Sequence, residues 1–274
     1  MPTVKLVIKE PLEKPKIPIE AEIISPDKFV KKTLAEIGEL SVWKGNREMA
    51  LRELFHLSGD DFLGDEIADI SILLEGNLAK LKRVGQQMTG GTIIINSSIG
   101  MHVGFQMKGG RIVVNGDADD FAGANMKGGE LHITGNAGHY LGGSVRGDWR
   151  GMSGGKIHVK GSVKNECGVW MRNGLIEIGK NAGIFLGMHL HRGIIIVNGN
   201  VIERAGAEMT GGIIVIKGTL KELLPSFEFQ RTVPELTLPD YEVIKQPFIE
   251  YKGDFAEKKQ GLLYVAKEKN AHLL

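Results

Sequence analysis

The chain returns to one pattern every nineteen residues. Anchored at Met88, the equivalent positions are Met107, Met126, Met152, Met171, Leu190 and Met209, and only the step from Met126 to Met152 departs, at twenty-six residues. Two glycine columns keep this register without exception: Gly91, Gly110, Gly129, Gly155, Gly174, Gly193 and Gly212, and Gly85, Gly104, Gly123, Gly142, Gly168, Gly187 and Gly206. Glycine takes a positive φ at little cost and lets another backbone approach closely, so glycines in register mark corners that turn the same way each time.

Between the corners the spacing is that of strands. Ile93, Ile112, Leu131, Ile157, Ile176, Ile195 and Ile214 form one apolar column, and two residues further on Ile95, Val114, Ile133, Val159, Ile178, Val197 and Ile216 form another. A period of two points both columns the same way. The columns beginning at Ile99 and Val84 join them and the Met column as inward faces. A unit this short cannot bury its own apolar face, but stacking at ~4.8 Å lets every backbone group pair with the units on either side. The sequence therefore predicts a mainly β protein, a right-handed parallel β-helix of about seven nineteen-residue coils with capping segments at both ends. A β-sandwich also uses short strands and frequent turns, but nothing in that architecture holds a fixed register through seven units.

The flanks differ in composition. Residues 1–70 read as an α+β capping segment with a helix-like stretch at Arg47 to Leu54, residues 71–220 as the β-helix entered through Ile72 and Leu74, and residues 221–274 as a wrapping segment. Pro225, Pro234, Pro239 and Pro247 break that last segment into extended pieces, with Gly261 to Ala266 as one strand. In the last three units the outward positions turn apolar, at Leu175, Ile194, Ile213, Ile196 and Val215. Strands apolar on both faces are covered on both, and the C-terminal segment, through Phe227, Phe229 and the Gly261 to Ala266 strand, is the predicted cover, with a partner subunit as the alternative.

Little in the composition points to catalysis by this chain. A net charge of +1 over 274 residues carries no signature of a nucleic-acid or membrane partner. No window approaches the roughly 20 apolar residues of a membrane span, and Met1 to Glu10 lacks a leader pattern, which predicts a cytoplasmic address. The single cysteine, Cys167, falls in an inward column as a small core residue. The inward columns hold no Asp, Glu, His or Lys, and no phosphate-binding glycine motif is present, so no catalytic and no cofactor-binding residues are assigned. His189, His191 and Glu208 are the candidate metal ligands, set against Arg172 and Arg192 close by, which disfavour a cation and favour solvated or interface histidines. Gln87, Gln106 and Asn125 stand in register as an amide ladder. The seven extra residues between Gly142 and Met152 are the one break in register, and they carry Arg146, Asp148, Trp149 and Arg150. Arg and Trp are the residue types that anchor interfaces, so these four are assigned to a partner contact.

Three blocks add a resemblance: "RVGQQMTGG" from Arg83, "RGDWRGMSGG" from Arg146 and "GNVIERAGAEMTGG" from Gly199, within a recurrent Gly-x-x-Met-x-Gly-Gly-x-Ile-x-Val-x-Gly pattern. Together they resemble the C subunit of formylmethanofuran dehydrogenase. The repeat is also similar to the C-terminal glycine-repeat domain of the glutamate synthase large subunit, but the "RGDWRGMSGG" block points to the dehydrogenase. The pattern departs from the family's at Asn173 and Leu190. The resemblance is strong over about half the chain and looser in the flanks, including "YKGDFAEKKQGLLYV" from Tyr251. It implies a non-catalytic scaffold subunit of an assembly that reduces CO2 and forms formyl-methanofuran in methanogenesis, reversibly. It further implies that this chain holds no cofactor and that its partners do: a tungsten- or molybdenum-pterin subunit, an amidohydrolase-like subunit with metal ions, and iron–sulfur subunits. Two alternatives stand beside it, the C subunit of a bacterial formyltransferase/hydrolase complex and an independent metal-binding β-helix enzyme acting through His189, His191 and Glu208.

Overall fold

The computed structural model describes residues 2–9, 17–239, 241–258 and 260–274. The protein is mainly β, organised around a sheet of thirteen strands that does not close on itself. Seven of its strands, Thr92–Ile95, Arg111–Val114, Glu130–Ile133, Ser153–Val159, Asn173–Ile178, Ile194–Val197 and Ile213–Ile216, come one from each repeat and pair in parallel in chain order. Their register is that of the sequence, with Ile93 opposite Ile112 and Ile112 opposite Leu131, and the longer step placing Leu131 opposite Ile157.

Pairing does not stop at these strands. A second parallel column of single bridges runs from Leu78 through Ile99, Ala118, Ala137, Val163, Ala182 and Val201 to Leu220. At the glycine corners Gly104 N–H donates to Val84 O at 2.9 Å, and Gly123, Gly142, Gly168, Gly187 and Gly206 repeat the bond one unit on. Each repeat is thus hydrogen-bonded to its neighbours at three places around its course. The corner at Gly110 explains the demand for glycine, since φ is +76° and a Cβ there would lie 2.7 Å from Gly91 O. The predicted inward columns are buried throughout, Cys167 among them, and burial pushes its thiol pKa up, which leaves it protonated and inert. Outside the core, side chains link the units in series: Asn136 Oδ1 accepts from Ser162 N–H, Ser162 Oγ from Asn181 N–H, Asn181 Oδ1 from Asn200 N–H, and Asn200 Oδ1 from Thr219 N–H.

The N-terminal region extends the same sheet. Ser71–Glu75 pairs in parallel with Thr92–Ile95, Thr3–Ile8 with Ser71–Glu75, and Phe55–Gly59 closes that edge antiparallel to Thr3–Ile8. The helix expected at Arg47 to Leu54 is corrected: Arg47–Ala50 is a strand paired with Ser41–Lys44, and only Leu51–Leu54 is helical. Lys44 and Arg47 face each other across the two-residue Gly45-Asn46 connection, Gly45 has φ +63°, and such a turn fixes a hairpin over the helical propensity that follows. Among the described residues no helix is long and apolar enough to cross a membrane.

At the other end Gly261–Ala266 adds to Ile213–Ile216 in parallel, followed by Phe248–Gly253 and Glu228–Val233. The chain does cover its own apolar outer face: the Gly261–Ala266 strand contributes Leu262, Tyr264 and Ala266 to it as expected, but the two phenylalanines do not. Ile196 and Val215 are buried under Leu236, Leu238 and Ile244, with Tyr241 packed alongside. Phe229 lies on the outermost strand and stays 49% exposed, whereas Phe227 turns inward and packs against Gly206 and Gly253 at the end of the core. The strap is pinned by Tyr241, whose hydroxyl donates to Glu177 Oε1 at 2.7 Å, while His158 Nδ1 lies 3.2 Å from Glu177 Oε2. The His158 contact first, and then the Tyr241 bond and the charge of Lys217, hold the Glu177 carboxyl at about 2, against the opposing pull of burial and below its ordinary 4.5. A carboxyl depressed in the folded state contributes stability above its unfolded value of 4.5, and that contribution is lost as pH falls towards 2. Amides of 236–238 and 241–244 should therefore lose hydrogen-exchange protection through this window. Tyr241→Phe should weaken the strap by ~2 kcal/mol at neutral pH, because a hydrogen bond to a charged group is removed. A pH profile that is the same for both proteins would separate the strap from Glu177.

Candidate partner interface

In six of the seven repeats two residues, four apart at the Gly85-type corner, adopt the left-handed conformation without being glycine, and in the remaining one Tyr140 does so alone. His102 and Gln106, Phe121 and Asn125, and Phe185 and His189 are examples, with φ between +53° and +66°. Such backbone turns their side chains outward in files, one member per repeat. In one file His102 stacks on Phe121 at 4.9 Å and Phe121 on Tyr140 at 4.6 Å, close to the spacing of the units themselves. In the other, Gln87 Nε2 donates to Gln106 Oε1 at 2.9 Å, and further on Trp170 stacks on His189 at 3.8 Å. The aromatic file was readable at nineteen-residue spacing, but Arg83, Glu166 and Arg204 occupy the same column and disguise it.

The insertion emerges on this corner, and Asn125 holds it. This side chain is only 5% exposed; its Nδ2 donates to Arg150 O at 2.6 Å and Asp148 Oδ2 at 3.1 Å, and its Oδ1 accepts from Val145 N–H at 3.3 Å. The expected amide ladder is therefore corrected at its third member. Asn125 leaves the file because the loop offers it three partners. Asp148 Oδ1 accepts from both the backbone N–H and Nε of Arg150, each at 3.1 Å. Asp148 and Arg150 thus shape the loop from within. Arg146 interacts with the Tyr140 hydroxyl, and so ties the loop to the aromatic file. Trp149 is 55% exposed on the crest, with the Arg150 guanidinium 5.4 Å and that of Arg172 4.5 Å from its ring centroid.

Beside the loop lies a cleft of about 490 Å³ lined by Trp170, Arg172, His189, His191, Glu208, Thr210, Glu257 and Lys258. His189 Nδ1 stands 3.5 Å from Glu208 Oε2 and its ring lies against Trp170, whereas His191 Nδ1 meets Thr210 Oγ1 at 2.9 Å. The three candidate ligands share a cleft without sharing a point. Among the described residues no group of three or more His, Cys, Asp or Glu side chains is placed to hold a metal ion. Burial, followed by the charges of Arg172, Arg192 and Lys258, lowers the His191 pKa, so three cations act on His191 in this cleft.

No family model matches the chain. It is 47% identical over 264 residues to the C subunit of tungsten-containing formylmethanofuran dehydrogenase 2 from Methanococcus maripaludis, an alignment covering 94% of this chain and 95% of that one. The chain belongs to the family of formylmethanofuran dehydrogenase C subunits. The corresponding subunit from Methanothermobacter thermautotrophicus is 41% identical over 97 residues, and that alignment spans only 35% of either chain. Among solved structures, a chain of the formyltransferase/hydrolase complex FhcABCD from Methylorubrum extorquens, crystallised with methylofuran, superposes with a TM-score of 0.81 at 25% identity, over 96% of this chain and 99% of that chain. This chain and the Methylorubrum chain thus share one architecture over almost their whole lengths.

Proposed function

We propose that this chain is the non-catalytic scaffold subunit of a cytoplasmic formylmethanofuran dehydrogenase that reduces CO2 and forms formyl-methanofuran, reversibly. The near full-length identity to the Methanococcus protein carries this reading. Residues 71–220 act as a rigid right-handed parallel β-helix, with residues 1–70 and 221–274 capping its ends. Parallel pairing at three places in every repeat supports that description. The tungsten- or molybdenum-pterin, the iron–sulfur clusters and the metal ions belong to partner subunits. Arg146, Asp148, Trp149 and Arg150 form the contact with one of them. A 55% exposed tryptophan on a loop internally tied by Asn125 is a preorganised anchor, which lowers the cost of ordering on docking.

Tagged full-length chain, purified from its native host, should retain the large subunits of the dehydrogenase, and the chain alone should turn over no substrate. Trp149→Ala should leave the chain folded and weaken assembly by ~2 kcal/mol or more, read by native mass spectrometry on dilution. Unchanged assembly reduces the loop to decoration. The second reading, a formyltransferase/hydrolase complex, is favoured by the superposition on the Methylorubrum chain. Co-purification of a metal-pterin with formate dehydrogenase activity argues against it, and assembly without any pterin argues for it.

A further inference from the structure

The partner's contribution to this contact has a chemistry that the cleft defines. Arg172 is the centre of it: its Nε is buried with no hydrogen-bond partner, its guanidinium lies on the Trp149 ring at 4.5 Å, and among the described residues no carboxylate pairs with it. An unpaired buried guanidinium nitrogen is costly and is ordinarily satisfied by an acceptor. Nothing among the described residues is placed to be that acceptor. Of the two acidic side chains in the cleft, Glu208 is turned to His189 at 3.5 Å, and Glu257 stands beside Lys258. Arg192 and Lys258 form no ion pair among the described residues either, and together with Arg172 they set the positive potential felt by His191. Cation–π contact with Trp149 orients the guanidinium plane, and with Nε enclosed by this chain it is the two Nη groups, unpaired among the described residues, that can receive a carboxylate through parallel N–H···O bonds.

Resting on the assignment of the loop to a partner contact, we propose that Arg172, backed by Trp149 and Lys258, is the receptor for an Asp or Glu side chain of the partner subunit that docks on this loop. Charge complementarity selects this occupant: a flat apolar partner surface would bury the rest of the Arg172 guanidinium without an acceptor, and a basic one would meet three unpaired cations. Trp149 then serves two purposes, as an apolar anchor and as the plate that orients the arginine.

Full-length variants assembled into the complex in the host test this. Arg172→Met keeps the stem against Trp149 and removes the charge; Arg172→Lys keeps the charge and removes the fork. Dissociation on dilution, followed at about 50 mM and about 500 mM salt, should show Arg172→Met weakened about 10- to 100-fold at low salt and its salt dependence largely abolished, with Arg172→Lys intermediate. Trp149→Ala, measured in parallel, reads the loop itself. Should Trp149→Ala weaken assembly while Arg172→Met leaves both affinity and salt dependence unchanged, the loop docks but the carboxylate receptor is wrong. Should neither matter, the loop assignment fails first. A third arm titrates the free chain with acetate, glutarate and inorganic phosphate by following the Arg172 side-chain resonance: saturable binding well below about 1 mM would make a small anion the occupant and overturn the proposal.

Discussion

Replacing Val159 with aspartate should destroy the cooperative unfolding of this chain. Val159 is 2% exposed in the inward column and is flanked in register by Ile133 and Ile178, themselves buried. A carboxylate there has no partner and no water. It must either protonate or remain charged among hydrocarbon, at a cost of roughly 4 kcal/mol or more, a large share of the ~5–15 kcal/mol that holds a domain together. In a stack of repeats the damage also interrupts both neighbouring interfaces, since each unit is stabilised mainly by the units it touches. Calorimetry should show a melting point lowered by about 10 °C or more, or a broad, split transition. Val159→Ala, which only deletes methyl groups, should shift the same transition by a few degrees. An aspartate variant that melts like the parent would mean that this column does not face inward.

The inward columns were legible because seven copies repeat one physical solution, so a single noisy strand never had to be judged alone. Register carried what propensity could not. The outer face was legible in kind and not in detail: Leu175, Ile194, Ile213, Ile196 and Val215 announce a cover, but which residues provide it depends on how a proline-broken segment lies across the sheet. Leu236, Leu238 and Ile244 do so, and Phe229 does not. Their spacing follows no repeat, and so carries no period to read. The hairpin at Lys44 to Arg47 is different, because Gly45-Asn46 is a two-residue turn recognisable in the sequence, and it outweighs the helix-like pattern of Arg47 to Leu54.

For the site, the sequence exposed the loop and concealed what holds it. The break in register needs no structure to be seen, and the residue types within it mark an interface. Asn125 is another matter, since it stands in register with Gln87 and Gln106, and only the three-dimensional course of the loop shows it bonded to Val145, Asp148 and Arg150 instead. Likewise Arg172 lies twenty-three residues from Trp149 in sequence. The insertion bends back on the next repeat, and that fold of the loop creates the stacked pair.

Asn270 should prove to be the most costly polar side chain to remove. Every repeat but the last passes its unpaired backbone groups to a following unit, as Val201 N–H does to Thr219 O at 2.9 Å. Leu220 has no following unit. The Asn270 amide takes its place: Oδ1 accepts from Leu220 N–H at 2.8 Å, and Nδ2 donates to Gly218 O at 2.9 Å and to Ala266 O at 2.8 Å. The side chain is fully buried, so water cannot substitute. Asn270→Leu keeps the volume and leaves a donor and two acceptors unsatisfied in a closed site, at about 1–3 kcal/mol for each group, or roughly 3–5 kcal/mol after relaxation. The loss should be local before it is global. Amides of 201–220 should exchange much faster than those of 93–114, because fraying starts at the unit whose cap is gone and stops where intact neighbours resume. Uniform acceleration along all seven repeats would mean that the stack opens as one body and that Asn270 is not an end cap.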